Sequence, residues 1–231
     1  MSFDPPEPKL TPDILAFLRS VDSPTLANAI ETFNLRDRTE GYIGGAVRCL
    51  FPDLGTMVGQ ALTVTVTNEP GPVAGREGYW KMWETLAAMP KPAVIVMHDI
   101  SGKPSRCAYA GEVMATLAQR LGAVGMVTDG GFRDIAEVHA LGMHYFASYV
   151  VVSHGNFSIV DVGIPIEMDG QRVETGDILH GDANGIVIVP PETLNGLPEA
   201  VERIRQREQA LMHYIRSDAF TLDGVRAGRG Y

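Results

Sequence analysis

The stretch Gly125-Met126-Val127-Thr128-Asp129-Gly130-Gly131-Phe132-Arg133-Asp134 decides how this chain folds. It enters as the end of an apolar strand, Ala123–Thr128. It then passes through Asp129-Gly130-Gly131, a composition that predicts a tight turn, and presents an arginine beside an aspartate. A short helix from about Asp134 to Leu141 follows, closed by Gly142. Upstream the same grammar holds. Strand Ala93–Met97 leads through a loop to a helix from about Gly111 to Leu121, ended by Gly122. Its buried stripe is Val113, Met114, Leu117, Ala118 and Leu121. Strands alternating with helices predict an α/β fold with a largely parallel sheet covered by helices.

Outward from this unit, the first ten residues are proline-rich and read as a loose arm. Thr11-Pro12 supplies an N-cap and a proline at the first helical position, and Ser23-Pro24 repeats the device. Two strands are expected around Ala46–Leu50 and Gln60–Thr67, the second alternating with period two and β-branched. Tyr79-Trp80-Lys81-Met82-Trp83 opens a helix running to about Met89. Aromatics at helical spacing read as core or subunit contact before they read as a substrate box. From Phe146 to Pro190 the pattern is strand-rich, with turns at Asp169-Gly170 and Asp182-Ala183-Asn184-Gly185 and a buried strand at Ile186–Val189. A long helix is expected from Glu192 to about Ser217, so the chain reads as one domain, 1–231, with N-terminal helices and a C-terminal helix and tail over 192–231.

Composition narrows the function. The 231 residues are 45% hydrophobic and 20% charged, enough for a sizeable core. No apolar run approaches the roughly twenty residues of a membrane span, and the N-terminus lacks the features of a secretory signal. A net charge of −9 argues against nucleic-acid binding. Arg203, Arg205 and Arg207 point in different directions on a helix flanked by glutamates, and form no basic stripe. Two cysteines, Cys49 and Cys107, make neither a disulfide framework nor a zinc set, which suits a cytoplasmic protein.

In α/β sheets, ligand sites gather at the carboxyl ends of strands. There Arg133 can hold an oxyanion and Asp134 can offer a hard oxygen to a divalent cation. The competing reading has Asp134 capping the next helix and Arg133 pairing with a surface carboxylate. Ala110-Gly111-Glu112 opens the preceding helix, whose free amides and positive dipole end suit a carboxylate. Glu112 in that first turn also reads as ordinary dipole compensation. Together these segments place an anion seat, an arginine and two carboxylates on adjacent strand–helix connections.

Gly111-Glu112-Val113-Met114-Ala115-Thr116-Leu117-Ala118, followed by Asp129-Gly130-Gly131-Phe132-Arg133-Asp134, resembles the paired signature of the RraA-like family. That family includes the class II 4-hydroxy-4-methyl-2-oxoglutarate and 4-carboxy-4-hydroxy-2-oxoadipate aldolases. Its motif is an acidic residue, twenty intervening positions, then Arg-Asp, as Glu112 and Arg133-Asp134 are spaced here. The resemblance extends from Ser23-Pro24-Thr25 to Val189-Pro190. It implies a swivelling β/α/β domain and a metal-dependent lyase releasing pyruvate from a 4-hydroxy-2-oxo acid. By the resemblance, Asp134 would bind Mg²⁺ or Mn²⁺, and Glu112 would reach the metal through water. Arg133 would stabilise the enolate. The backbone of Gly111, Val113, Met114 and Ala115 would seat the substrate carboxylate. It also implies a homotrimer or homohexamer with sites between subunits, into which an acidic residue of the C-terminal helix reaches. Glu208 is the candidate, against the reading of a solvated helix glutamate. Two positions depart from the pattern: Glu112 stands where aspartate is usual, and Asn28 where many relatives carry aspartate.

The chemistry is coherent. Cleaving a bond beta to a ketone leaves an enolate, which a chelated metal and a fixed arginine both stabilise. Oxaloacetate decarboxylation passes through the same enolate. A Schiff-base route would need a lysine, and of Lys9, Lys81, Lys91 and Lys103 only Lys103 lies in the expected site region. Cys107 and the six histidines suggest no triad or metal cluster, and His98-Asp99 reads as either pocket lining or loop structure. The rival function is a non-catalytic RraA-type regulator that binds a ribonuclease or another protein, because fold alone does not fix function.

Overall fold

The computed structural model describes residues 3–72 and 74–228. Helices α1 (Pro12–Arg19) and α2 (Ser23–Glu31) precede short strands β1 (Tyr42–Ile43) and β2 (Arg48–Cys49). An alternating stretch follows: β3 (Met57–Asn68), α3 (Glu77–Ala88), β4 (Ala93–Asp99), β5 (Ala108–Ala110), α4 (Glu112–Arg120), β6 (Ala123–Phe132), α5 (Ile135–Ala140) and β7 (His144–Val150). Then come β8 (Phe157–Val162), β9 (Ile166–Met168), β10 (Gln171–Val173), β11 (Ile178–Asp182) and β12 (Gly185–Val189), and helices α6 (Leu197–Ile215) and α7 (Leu222–Gly228).

The main sheet runs β1-β12-β11-β3-β4-β6-β7-β2, with β5 added to β6 and β8 to β3. Its centre, β3, β4, β6 and β7, is parallel. Antiparallel strands extend it on both sides. The predicted α/β architecture with a parallel core is therefore present.

Side-chain alternation sets the layers. Leu62, Val64 and Val66 of β3, with Ile95 and Met97 of β4 and Met126 of β6, face a core shared with Met82, Trp83 and Leu86 of α3 and Met114, Ala115 and Ala118 of α4. Ala61, Val94, Val96 and Val127 face the other way, against Ile166, Met168 and Val173 of the β9–β10 hairpin. Each large side chain buried this way contributes about 1.5–3 kcal/mol. A third cluster joins α1, α2 and α6 to β11 and β12 through Leu18, Leu26, Val187 and Leu197.

Several expectations need correction. The arm is tied down at residues 7–9: Lys9 donates its backbone N–H to Gln60 Oε1 (3.0 Å) and its ammonium to Gly176 O (2.9 Å), and Gln60 Nε2 donates to Glu7 O (3.0 Å). Thr11 caps α1 as expected. In α2, however, Asp22 is the N-cap, while the amide and hydroxyl of Ser23 both donate to Asp182 at 2.7 Å. The long helix starts at Leu197 rather than Glu192, because Pro191–Thr193 forms a separate 3-10 turn.

Candidate active site

The decisive stretch is a strand for longer than its glycines suggest. β6 continues to Phe132, so Asp129-Gly130-Gly131 is extended chain rather than a tight turn. The glycines serve close packing. A Cβ on Gly130 would meet the Tyr109 ring at 2.5 Å, and one on Gly131 would meet Val151 Cγ2 at 2.6 Å and Cys107 O at 2.7 Å. β5 can therefore lie against the end of β6, where Arg133 N donates to Ala110 O at 3.0 Å.

The chain turns at Asp134, which takes the left-handed conformation (φ 58°, ψ 47°). That conformation costs a non-glycine residue on the order of 1–3 kcal/mol, and such strain gathers at functional sites. It leaves the carboxylate making no side-chain cap on α5; instead Asp134 Oδ2 accepts the Glu112 N–H at 2.9 Å and caps α4. Arg133 Nε lies 3.7 Å from the same oxygen, and both side chains are half-buried. Gly111 is what lets these groups converge: a Cβ there would meet Asp134 Oδ2 at 2.3 Å and Arg133 Nε at 3.0 Å.

The first intrahelical bond of α4 runs from Ala115 N to Gly111 O. The amide of buried Ala115 is thus used within the helix and that of Glu112 by Asp134, whereas those of Val113 and Met114, in the first turn of α4, can meet an anion. These groups border a cavity of about 390 Å³. One wall holds Tyr109, Gly111, Val113, Met114, Arg133 and Asp134. The lining also includes Arg76 and Tyr79 at the α3 start, with His154, Asn156 and Phe157 before and within β8. Glu112 is exposed and does not line the cavity. Glu208 lies on α6, half-buried, where Asn28 Nδ2 donates to it at 3.3 Å, and within one chain it does not reach the cavity.

Sequence reading missed part of the cavity lining. Tyr79 packs against the core, as read, and also lines the cavity, and neither Arg76 nor His154 was singled out. His98-Asp99 lies outside it. His98 Nδ1 sits 2.5 Å from Asp129 Oδ2, which raises the imidazole's pKa, and Asp99 accepts hydrogen bonds from Ser101 and the Tyr109 hydroxyl. That bond and burial both hold the Tyr109 phenol protonated, burial the more strongly. None of the four lysines lines the cavity, so no Schiff-base lysine is placed there.

A family model, RraA-like, described as Aldolase/RraA, matches residues 23–188. The chain belongs to the RraA-like family. A Halalkalibacterium halodurans protein named "Putative 4-hydroxy-4-methyl-2-oxoglutarate aldolase" is 30% identical over 120 residues, spanning 52% of this chain and 55% of that one. A Cupriavidus necator protein of the same name is 26% identical over 142 residues, 58% of this chain and 85% of that one. This chain thus matches about half the length of the first relative. Streptomyces coelicolor RraAS2, described as an unusual member of the RNase ES inhibitor RraA protein family, superposes with a TM-score of 0.70. The identity is 21%, covering 90% of this chain and all of that one. An uncharacterized Pseudomonas syringae protein gives a TM-score of 0.72 at 22% identity, over 99% of each chain. These structures share the RraA-like fold.

The RraA-like resemblance implies a divalent metal, and the donor set can be tested for it. Among the described residues no group of three histidine, cysteine or acidic side chains converges. Mg²⁺ and Mn²⁺ accept hard oxygen ligands, and Mg²⁺ is commonly held by one or two carboxylates with water and substrate completing the shell. Asp134 fits that pattern. Its Oδ2 is engaged by Glu112 N–H, and Oδ1 accepts no hydrogen bond among the described residues.

Proposed function

We propose that this RraA-like chain is a carbon–carbon lyase that cleaves a 4-hydroxy-2-oxo acid to pyruvate and a carbonyl product, and that also decarboxylates oxaloacetate. One observation carries the reading: β6 delivers Arg133 and Asp134 against the open N-terminus of α4, across a Gly111 that admits both. The Val113 and Met114 amides suit the substrate carboxylate, their N–H groups and the helix dipole both favouring negative charge. Arg133 is set to bind the 2-oxo oxygen and to hold the charge that grows there as the bond beta to it breaks. Asp134 would hold Mg²⁺ or Mn²⁺, with Glu112 acting at longer range through water; when bound, the metal supplies Lewis-acid polarisation of the 2-oxo group. Glu208 would reach a neighbouring copy's site in a homotrimer or homohexamer, and a monomer in light scattering would take it out of the site.

The test is pyruvate release from a panel of 4-hydroxy-2-oxo acids and from oxaloacetate. Turnover should appear with Mg²⁺ or Mn²⁺, vanish with a chelator and return on adding metal back. A folded, metal-supplemented protein that turns over no member of the panel would leave the regulator reading standing instead.

A further inference from the structure

Resting on the lyase reading above, we propose that His154 is the proton-transfer residue of this site, taking the proton of the substrate's C4 hydroxyl. His154 is the histidine among the cavity's lining residues. The others are placed elsewhere: His98 pairs with Asp129, His139 with Asp53, His144 and His180 are buried, and His213 is on the exposed face of α6.

The backbone around it is anchored to β5 and to the end of β3. Ala108 N donates to Ser153 O at 2.9 Å, the Cys107 thiol to His154 O at 3.1 Å, and Asn156 N to Asn68 Oδ1 at 2.8 Å. The following Gly155 takes φ 51°, and a Cβ there would meet Asn68 Oδ1 at 2.5 Å, so the turn needs glycine. The ring stands edge-on to Phe157, centroids 6.5 Å apart. Its Nδ1 is 2.8 Å from Gly155 O. A carbonyl oxygen can only accept, so in the neutral ring Nδ1 carries the proton and Nε2 keeps its lone pair. This is the tautomer a general base requires.

The titratable and charged groups around the cavity do not compete for the role. Tyr109 has its hydroxyl engaged by Asp99, the Cys107 thiol is pushed up to about 12 by burial, and the Arg133 guanidinium has donors only and no acceptor. Asp134 caps α4, and Arg76 and Tyr79, at the start of α3, also line the cavity. In the proposed step Nε2 takes the hydroxyl proton and C4–O becomes a carbonyl. The C3–C4 bond then breaks, and its electron pair enters the C2–C3 enolate facing Arg133. The imidazolium returns the proton to C3, giving the methyl group of pyruvate. No oxidant or reductant is involved.

Oxaloacetate provides the control, because its decarboxylation needs no hydroxyl deprotonation. His154→Asn keeps an N–H near the Nδ1 position but has no Nε2. It should lower kcat/KM for aldol cleavage by about 10²–10⁴. Decarboxylation should lose far less. His154→Ala should behave similarly and regain part of its cleavage activity with added imidazole. Equal losses in both reactions, or unchanged cleavage, in a variant with a wild-type circular dichroism spectrum would overturn the assignment alone. A wild-type protein inactive in both reactions would overturn the lyase reading and this inference with it.

Discussion

Arg133 and Asp134 are adjacent in sequence and differ in what holds them. Asp134 is fixed by a backbone amide of α4, whereas Arg133 has its backbone bonded to Ala110 and its guanidinium 3.7 Å from Asp134 at the edge of the cavity. A planar fork that meets a developing oxyanion is poorly replaced by an ammonium group. Arg133→Lys is therefore expected to lower kcat by roughly a hundredfold or more with little change in KM, for cleavage and decarboxylation alike. A rise in KM at normal kcat would show that Arg133 anchors a remote carboxylate instead. The pair was legible in the sequence because the motif spacing joined it to Gly111 and Glu112. His154 was not legible, because a lone loop histidine carries no periodicity and reaches the cavity only when the segment before β8 folds back on β5.

At the scale of elements, the end of β6 and the start of α4 form one unit through Asp134. The carboxylate is a helix cap and, in the proposed function, also the hard oxygen donor for the metal; two substitutions separate these roles. Asp134→Ala should lose the cap, costing about 0.5–2 kcal/mol, together with activity. Asp134→Asn should keep an accepting oxygen for Glu112 N–H and hold its melting temperature near wild type, yet still lose metal-dependent turnover. Calorimetry with a parallel activity assay checks this, and an active Asp134→Asn would remove the carboxylate from the chemistry. The sequence showed which elements exist but mistook why some residues stand where they do. Glycine marks a turn and a close approach with the same letter, so Gly130-Gly131 read as a turn when their role is to admit Tyr109, Cys107 and Val151. Asp22 was overlooked as the cap of α2 because Ser23-Pro24 offers the same chemistry one residue later.

Across the whole molecule, the alternation of strands with helices made the parallel sheet readable, while the pairing of distant segments left no local trace. One such link is His180 on β11, buried, with Nε2 at 3.0 Å from Leu18 O and 2.9 Å from Val21 O, tying the α1–α2 turn to the sheet. Burial lowers its pKa below the ordinary 6.5, and burial lowers that of His144 as well. The unfolded chain then binds more protons than the folded one, so stability should fall as pH drops below about 6.5. His98, raised by Asp129, acts in the opposite direction but is more exposed. Denaturant titrations at pH 7.5 and 5.5 should show the lower midpoint at pH 5.5, and His180→Gln should reduce the difference. An unchanged midpoint would contradict the assignment of these rings as neutral in the fold. The central claim is that the strand end, the helix start and the cavity together stabilise the enolate of a 2-oxo acid. Its most direct test is deuterium incorporation into the methyl group of pyruvate in D₂O, followed by NMR. Exchange should be fast with wild-type protein and Mg²⁺ or Mn²⁺, stop with chelator, and be absent in Asp134→Asn; no exchange by the folded, metal-supplemented wild type, or equal exchange by Asp134→Asn, would contradict the account.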